Sequence, residues 1–268
     1  MHLHFLDPYQ HRASPVHALD ARVKFVLTLA FILTASLTPV AAWPVYILLL
    51  AVILSVEILS GLGVGYVLKR SALALSFVLA ALPVIFTIQG QTLFTLPIGA
   101  WTLTASVEGL ERFVSVALKS WLSVQAAIVL AASTRFPELL QAMRAVGIPR
   151  LLAAMFGLMW RYLFVLVDEA MRLMRARAAR SGRGTEAGSR SGGSVAWRAR
   201  VAGGMAGSLF LRAFERSDRI YVAMLSRGYD GEVRALPLPP FTGAGRLSLA
   251  AGLAFLGLLL IFGIAFWG

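Results

Sequence analysis

The 268-residue chain has no cysteine, so disulfides and thiolate metal sites are excluded. It is also short of charge. Asp, Glu, Lys and Arg make up 14% of its residues, against about a quarter in soluble domains. No glycine-rich phosphate loop, Ser/His/Asp arrangement or carboxylate pair with catalytic spacing is present, so the sequence predicts no enzyme and no ATP hydrolysis by the chain alone. All four histidines fall within the first 17 residues. His2 and His4 offer two imidazoles, but no acidic or thiolate cluster completes a coordination shell, so neither a metal nor any other cofactor is predicted. The favoured reading of this lead is an ordinary interfacial segment. No small-residue cleavage site follows it at signal-peptide distance, so the first apolar run is expected to stay in the mature protein.

What is present is apolar surface. Hydrophobic residues make up 58% of the chain and the mean hydropathy is +0.76, which predicts an all-α integral membrane protein. The formal net charge is +12. Its placement argues against nucleic acid, because 18 of the 25 Lys and Arg, with 8 of the 13 acids, lie between Arg135 and Arg246 without a recognisable nucleic-acid fold. Charge on one face of a membrane protein signals topology and contact with anionic lipid, each basic residue near the surface contributing about 1 kcal/mol.

Five spans are predicted. Residues 1–24 form a polar N-terminal segment, and Phe25 to Ala42 makes span 1. Trp43-Pro44 turns the chain into span 2, Val45 to Leu59, whose one charge, Glu57, is placed near an interface where it can snorkel. Gly61, Gly63 and Gly65 and the polar boundary Lys69-Arg70 precede span 3, Ser71 to Ile88, with a kink at Pro83. Gln89 to Thr104 reads as a short hairpin or loop. Ser106 to Ser133 makes span 4. Its Arg112 and Lys119 either line a conduction path or, preferably, pair with Glu108 or Glu111. Leu247 to Trp267 is the last span. Basic segments and loops free of Lys and Arg then alternate, placing the N-terminus and residues 134–246 in the cytoplasm.

That insert, residues 134–246, predicts three helices. Glu138 to Val146 is capped by Thr134 or its neighbours, has Pro137 near its start, and stops at Gly147-Ile148-Pro149. Arg150 to Arg180 is apolar all round until Val167; beyond it Asp168 and Glu169 both fall at pairing distance from Arg172. Val201 to Ser226 carries Leu209, Phe210, Phe214, Ile220, Tyr221 and Met224 on one side. Arg212, Glu215, Arg216 and Arg219 take the other, with Gly228 as the stop. The arginine-rich stretch from Arg183 to Arg200 reads as solvated or lipid-facing surface.

The chain resembles the transmembrane T component of energy-coupling-factor transporters over nearly its whole length. The resemblance rests on Leu19-Asp20-Ala21-Arg22-Val23-Lys24, Thr134-Arg135-Phe136-Pro137-Glu138-Leu139, Gly147-Ile148-Pro149, Arg161-Tyr162, Glu169, Ala179-Arg180-Ser181 and Ser226-Arg227-Gly228. The lead His2-Leu3-His4 with Asp7-Pro8-Tyr9, and the close Ala223 to Gly231, are similar to the cobalt branch. It implies a subunit of an ATP-driven importer in the cell membrane, for cobalt, with nickel or a vitamin as open alternatives. Its partners would be two cytoplasmic ATP-binding cassette subunits, a membrane subunit that captures the metal ion, and the lipid bilayer. Carried over, Ala179-Arg180-Ser181 and Ser226-Arg227-Gly228 would end helices that couple to the ATPases. Leu209, Phe210, Phe214, Ile220, Tyr221 and Met224 would touch the capture subunit. The first tripeptide ends in Ser rather than Gly, and Arg177 in Ala176-Arg177-Ala178 is a rival to Arg180. A lipid-modifying enzyme and a self-contained permease are the other classes; the first lacks a catalytic cluster, and the second requires ion flux from this chain alone.

Overall fold

The computed structural model describes residues 8–88, 90–98, 101–180, 194–231 and 240–267. Among them the order is α1 (Pro15–Ala18), α2 (Ala21–Leu37), α3 (Trp43–Ser60), α4 (Val64–Leu79), α5 (Val84–Thr87), β1 (Thr92–Ile98), β2 (Trp101–Ser106), α6 (Val107–Ser133), α7 (Phe136–Ala145), α8 (Arg150–Arg180), α9 (Val195–Leu225) and α10 (Gly243–Trp267). The strands pair antiparallel, with Pro97 opposite Thr102 and Ile98 opposite Trp101, as the change of period after Gln89 predicts. Every other element among the described residues is a helix, and the chain is an all-α, multi-pass membrane protein in which this hairpin is a minor element.

Two compact units emerge. Helices α8 and α9 form one, and the remaining elements form the other. The core of the larger unit is built from Phe31 and Ala35 of α2, Leu49 and Ile53 of α3, Leu122 and Val129 of α6, and Leu256 and Leu259 of α10. Small residues let the backbones approach, as is usual where lipid removes the hydrophobic drive between helices. A Cβ on Gly263 of α10 would already touch Val45 at 3.4 Å.

Helices α3, α6, α8 and α10 are long and apolar enough to cross a bilayer by length and composition. The five expected spans correspond to α2, α3, α4, α6 and α10. Of these, α2 with 17 residues and α4 with 16 are the short ones. Helix α8, which is not among the expected spans, meets the same length and composition criterion through the apolar run before Val167.

Local chemistry shifts several boundaries. Span 1 ends at Leu37 rather than Ala42, because Pro39 forces Thr38 into an extended conformation, ψ 132°. Helix α4 starts at Val64, so Lys69 and Arg70 lie inside a helix rather than ahead of one. The turn is completed earlier by Gly61 and Gly63, at φ +68° and +84°. Pro83 does more than kink span 3: α4 stops at Leu79, and a separate short helix begins after the proline.

Glu57 is the clearest reversal. It does not snorkel but is fully buried, and neither of its carboxylate oxygens has a hydrogen-bond partner. Leu49, Ile53, Glu57 and Ser60 recur at three- and four-residue spacing, so Glu57 falls on the inward stripe of α3. Thr134 does not cap α7 either. Its hydroxyl is buried without a partner, and α7 begins behind Arg135 without a side-chain cap, with Pro137 in its first turn as predicted.

The expected pairing of Lys119 with Glu108 or Glu111 does not form. Its Nζ donates to the Ser36 carbonyl at the end of α2, 3.1 Å away, rather than pairing with an acid. His11 and His17 lie within the interfacial lead; His2 and His4 are outside the described residues. His17 Nε2 donates to the Gln10 carbonyl (3.0 Å), and its Nδ1 sits 2.7 Å from Ser14 Oγ, the residue that caps α1. Burial outweighs these bonds and holds the imidazole below its ordinary pKa.

Candidate functional site

Two 31-residue helices carry the predicted site. Leu151, Leu158 and Tyr162 of α8 line one cleft, of about 540 Å³, together with Ile220 and Met224 of α9 and Tyr229 beyond it. Ala176, Arg177 and Arg180 line a second, of about 400 Å³, with Trp197, Val201 and Met205. The start of α8 therefore faces the end of α9 and the reverse, so the pair is an antiparallel hairpin.

Ala179 and Arg180 are exposed in the last turn of α8; Ser181 lies outside the described residues. At the other end, Gly228 adopts φ +77°. The N–H of Tyr229 donates to the Met224 carbonyl and the N–H of Gly228 to that of Leu225, both at 3.0 Å. This pair of bonds is a Schellman stop, and it requires the left-handed residue that glycine supplies without strain. Ser226 and Arg227 complete the last turn, both exposed. The stop fixes the backbone of Arg227 and leaves its side chain free to face outward.

The apolar side of α9 divides in two. Leu209, Ile220 and Met224 are half-buried in the seam toward α8. Phe210, Phe214 and Tyr221, about 100° further round the helix, are 67%, 58% and 55% exposed. Phe210 and Phe214 stack, with ring centroids 6.4 Å apart. Ile220 and Met224 line the larger cleft with Tyr221 beside them, whereas Phe210 and Phe214 remain open for contact.

Arg216 overturns its expected place on the outer face. It points into the seam, where Nη2 donates to Oε2 of Glu169 at 2.8 Å. Arg212 Nη1 lies 3.5 Å from Oε1 of the same carboxylate, whose side chain is only 10% exposed. Glu169 thus reaches across to α9 instead of pairing with Arg172 on its own helix. Nothing in helical spacing reveals a bond between residues 43 and 47 positions apart; the available signal was that Arg216 falls in phase with Leu209 and Ile220. The Glu215 to Arg219 pair does form on the outside, at 3.9 Å.

Among the described residues no group of three or more His, Cys, Asp or Glu side chains converges on a metal position. The arrangement offers exposed guanidinium and aromatic groups for binding.

These features define a class: a multi-pass helical membrane protein bearing a largely exposed two-helix unit that ends in paired arginine tripeptides. The family model described as cobalt transport protein (CbiQ) matches residues 12–237, and the chain belongs to that family. It is 30% identical over 227 residues to the energy-coupling factor transporter transmembrane protein EcfT of Thermosediminibacter oceani, covering 81% of each chain. It is 26% identical to an EcfT protein of Brevibacillus brevis over 97% of this chain and 94% of that one. To the cobalt transport protein CbiQ of Salmonella typhimurium it is 27% identical over 66% of this chain and 79% of that one. The chain is accordingly a transport component of the energy-coupling-factor kind, working within a multi-subunit complex.

Proposed function

We propose that this chain is the transmembrane coupling subunit of an ATP-driven cobalt importer in the cell membrane, with the N-terminus and the α8–α9 hairpin in the cytoplasm. Two ATP-binding cassette subunits hydrolyse the nucleotide. Arg180 and Arg227 dock into them, each guanidinium gripping carboxylates through a charge-assisted, bidentate contact that survives repeated strokes. The exposed strip of Phe210, Phe214 and Tyr221 contacts the membrane subunit that captures the ion, and motion of the hairpin makes that subunit release it inward. Such coupling requires contacts that differ between the nucleotide states.

One observation carries this reading: two exposed arginines terminate the two arms of an antiparallel hairpin. By helix rise from the Glu169 bridge they are roughly 30 Å apart, far enough for two separate subunits. Arg177 is half-buried in the cleft beside α9 while Arg180 is exposed, which favours Arg180 as the first docking residue.

The test is co-purification with the ATPase subunits followed by cobalt uptake in liposomes. Arg180→Glu and Arg227→Glu are expected to lose ATPase binding and uptake, and Arg177→Glu to retain both. Normal binding and uptake in the first two variants would defeat the reading, as would cobalt flux through the chain alone.

A further inference from the structure

We infer that Glu169, clamped between Arg212 and Arg216, is the fulcrum of the α8–α9 hairpin. The inference rests on the coupling role above and adds the point about which the two arms turn. Three observations carry it.

First, the helices come together around this bridge and part on either side of it. The larger cleft opens beyond Leu166 and Arg216, and the smaller one beyond Leu173 and Arg212, so the bridge lies between two gaps. Glu169 is also a buried residue on a helix whose other buried positions, among those described, are Ala153 and Ala154 near its start.

Second, measured from the shorter bond, Arg216 to Glu169, the arms are equal in residues. Arg180 lies eleven residues beyond Glu169, and Arg227 lies eleven residues beyond Arg216. In an antiparallel pair these displacements run in opposite directions, about 16 Å each at 1.5 Å per residue. A push on either arginine therefore acts about the same point with the same leverage, as two equivalent ATPases closing together would require.

Third, the chemistry suits a pivot. A carboxylate accepting from two guanidiniums one turn apart can rotate among its donors while remaining bonded, whereas interdigitated apolar side chains resist rotation. Nη1 of Arg216 is buried and has no partner, so the fork holds a donor in reserve as the angle changes.

The chain has no cysteine, so spin-label pairs can be introduced directly. Met171→Cys with Leu211→Cys reports the bridge. Met159→Cys with Leu225→Cys, and Arg175→Cys with Ala202→Cys, report the two sides. In the full chain alone, the bridge pair is expected to give one narrow distance that broadens in Glu169→Gln. In the complex, a non-hydrolysable ATP analogue should shift both side pairs in the same sense and leave the bridge distance unchanged. Glu169→Gln should reduce cobalt taken up per ATP hydrolysed severalfold while the ATPases still co-purify. Glu169→Arg should behave similarly, and Glu169→Arg with Arg216→Glu should recover part of the coupling. A bridge distance that moves as far as the side pairs, or a Glu169→Gln protein with an unchanged distance and full uptake per ATP, would overturn the fulcrum. Failure of the unsubstituted chain to bind ATPases would instead overturn the coupling role, and the bridge pair in the isolated chain would still decide whether the clamp exists.

Discussion

Lys24 Nζ donates a 2.9 Å hydrogen bond to the carbonyl of Ser133, joining the first turn of α2 to the last residue of α6. Lys119 on α6 donates in the same way to Ser36 near the end of α2. Each of these antiparallel helices thus offers an ammonium to the carbonyl end of the other, where unsatisfied C=O groups and the negative end of the dipole favour a cation. The backbone bond from the Gln10 N–H to the Ala132 carbonyl, 2.9 Å, fixes the N-terminal lead to the same α6 terminus.

Lys24 is buried while Lys119 is only half-buried and its bond is open to solvent, so their removal should differ in cost. Lys24→Met is expected to destabilise the protein by about 1.5–3 kcal/mol, the range for a hydrogen bond to a charged group. Lys119→Met should cost below about 1 kcal/mol, since water can replace its bond. Thermal unfolding in detergent, followed by tryptophan fluorescence, measures both; equal shifts would contradict the assigned difference in burial.

Glu57 is 0% exposed and unbonded, which makes it a liability for stability. Glu57→Met keeps the volume and removes the unsatisfied group, so a gain of about 1–3 kcal/mol is expected. The same melting assay reads it. A loss of stability would mean that the carboxylate has a bonding partner in the assembled protein.

Gly109 in the first turn of α6 is a position of close approach. A Cβ there would lie 2.6 Å from the Ile85 carbonyl oxygen and 2.8 Å from Ser106 Oγ, which caps this helix by accepting from the Gly109 N–H. The obstacle is backbone and cannot swing away. Gly109→Ala should cost about 1–3 kcal/mol by overpacking, with faster amide exchange in α5 and the first turn of α6. Gly65, which has nothing within 4 Å of an added Cβ, serves as the control: Gly65→Ala should be nearly neutral.

His17 supplies a pH dependence. Its folded-state pKa is depressed by burial, so its contribution to stability is fully present above the unfolded value of about 6.5 and is lost as pH falls through the folded one. The Gln10 carbonyl must accept, which assigns the neutral-state proton to Nε2 and leaves Nδ1 to accept from Ser14. Acidification from pH 7 toward pH 5 is therefore expected to loosen residues 10–17 before the helices, measured by hydrogen exchange. His17→Asn should flatten that dependence.

The amino-acid sequence by itself determined the membrane class, most of the helical elements and the two arginine-bearing helix ends, though it began α9 at Val201 where the structure begins it at Val195. These follow from local physics: runs of apolar residues long enough for a bilayer, prolines and left-handed glycines that stop helices, and the arginine tripeptides at α8 and α9 termini. Gly147 and Gly228 stopped their helices as predicted, because a positive φ is a property of one residue and its neighbours. The tertiary structure alone decided which charges meet. Glu57 turned inward, Lys24 and Lys119 reached across to helix ends, and Arg216 left the outer face for Glu169. Each of these outcomes depends on which face of a helix another helix covers, and charge by itself does not specify that. A span of 43 to 47 residues separates Glu169 from its arginines, so only the antiparallel fold of α9 against α8 could bring them into contact.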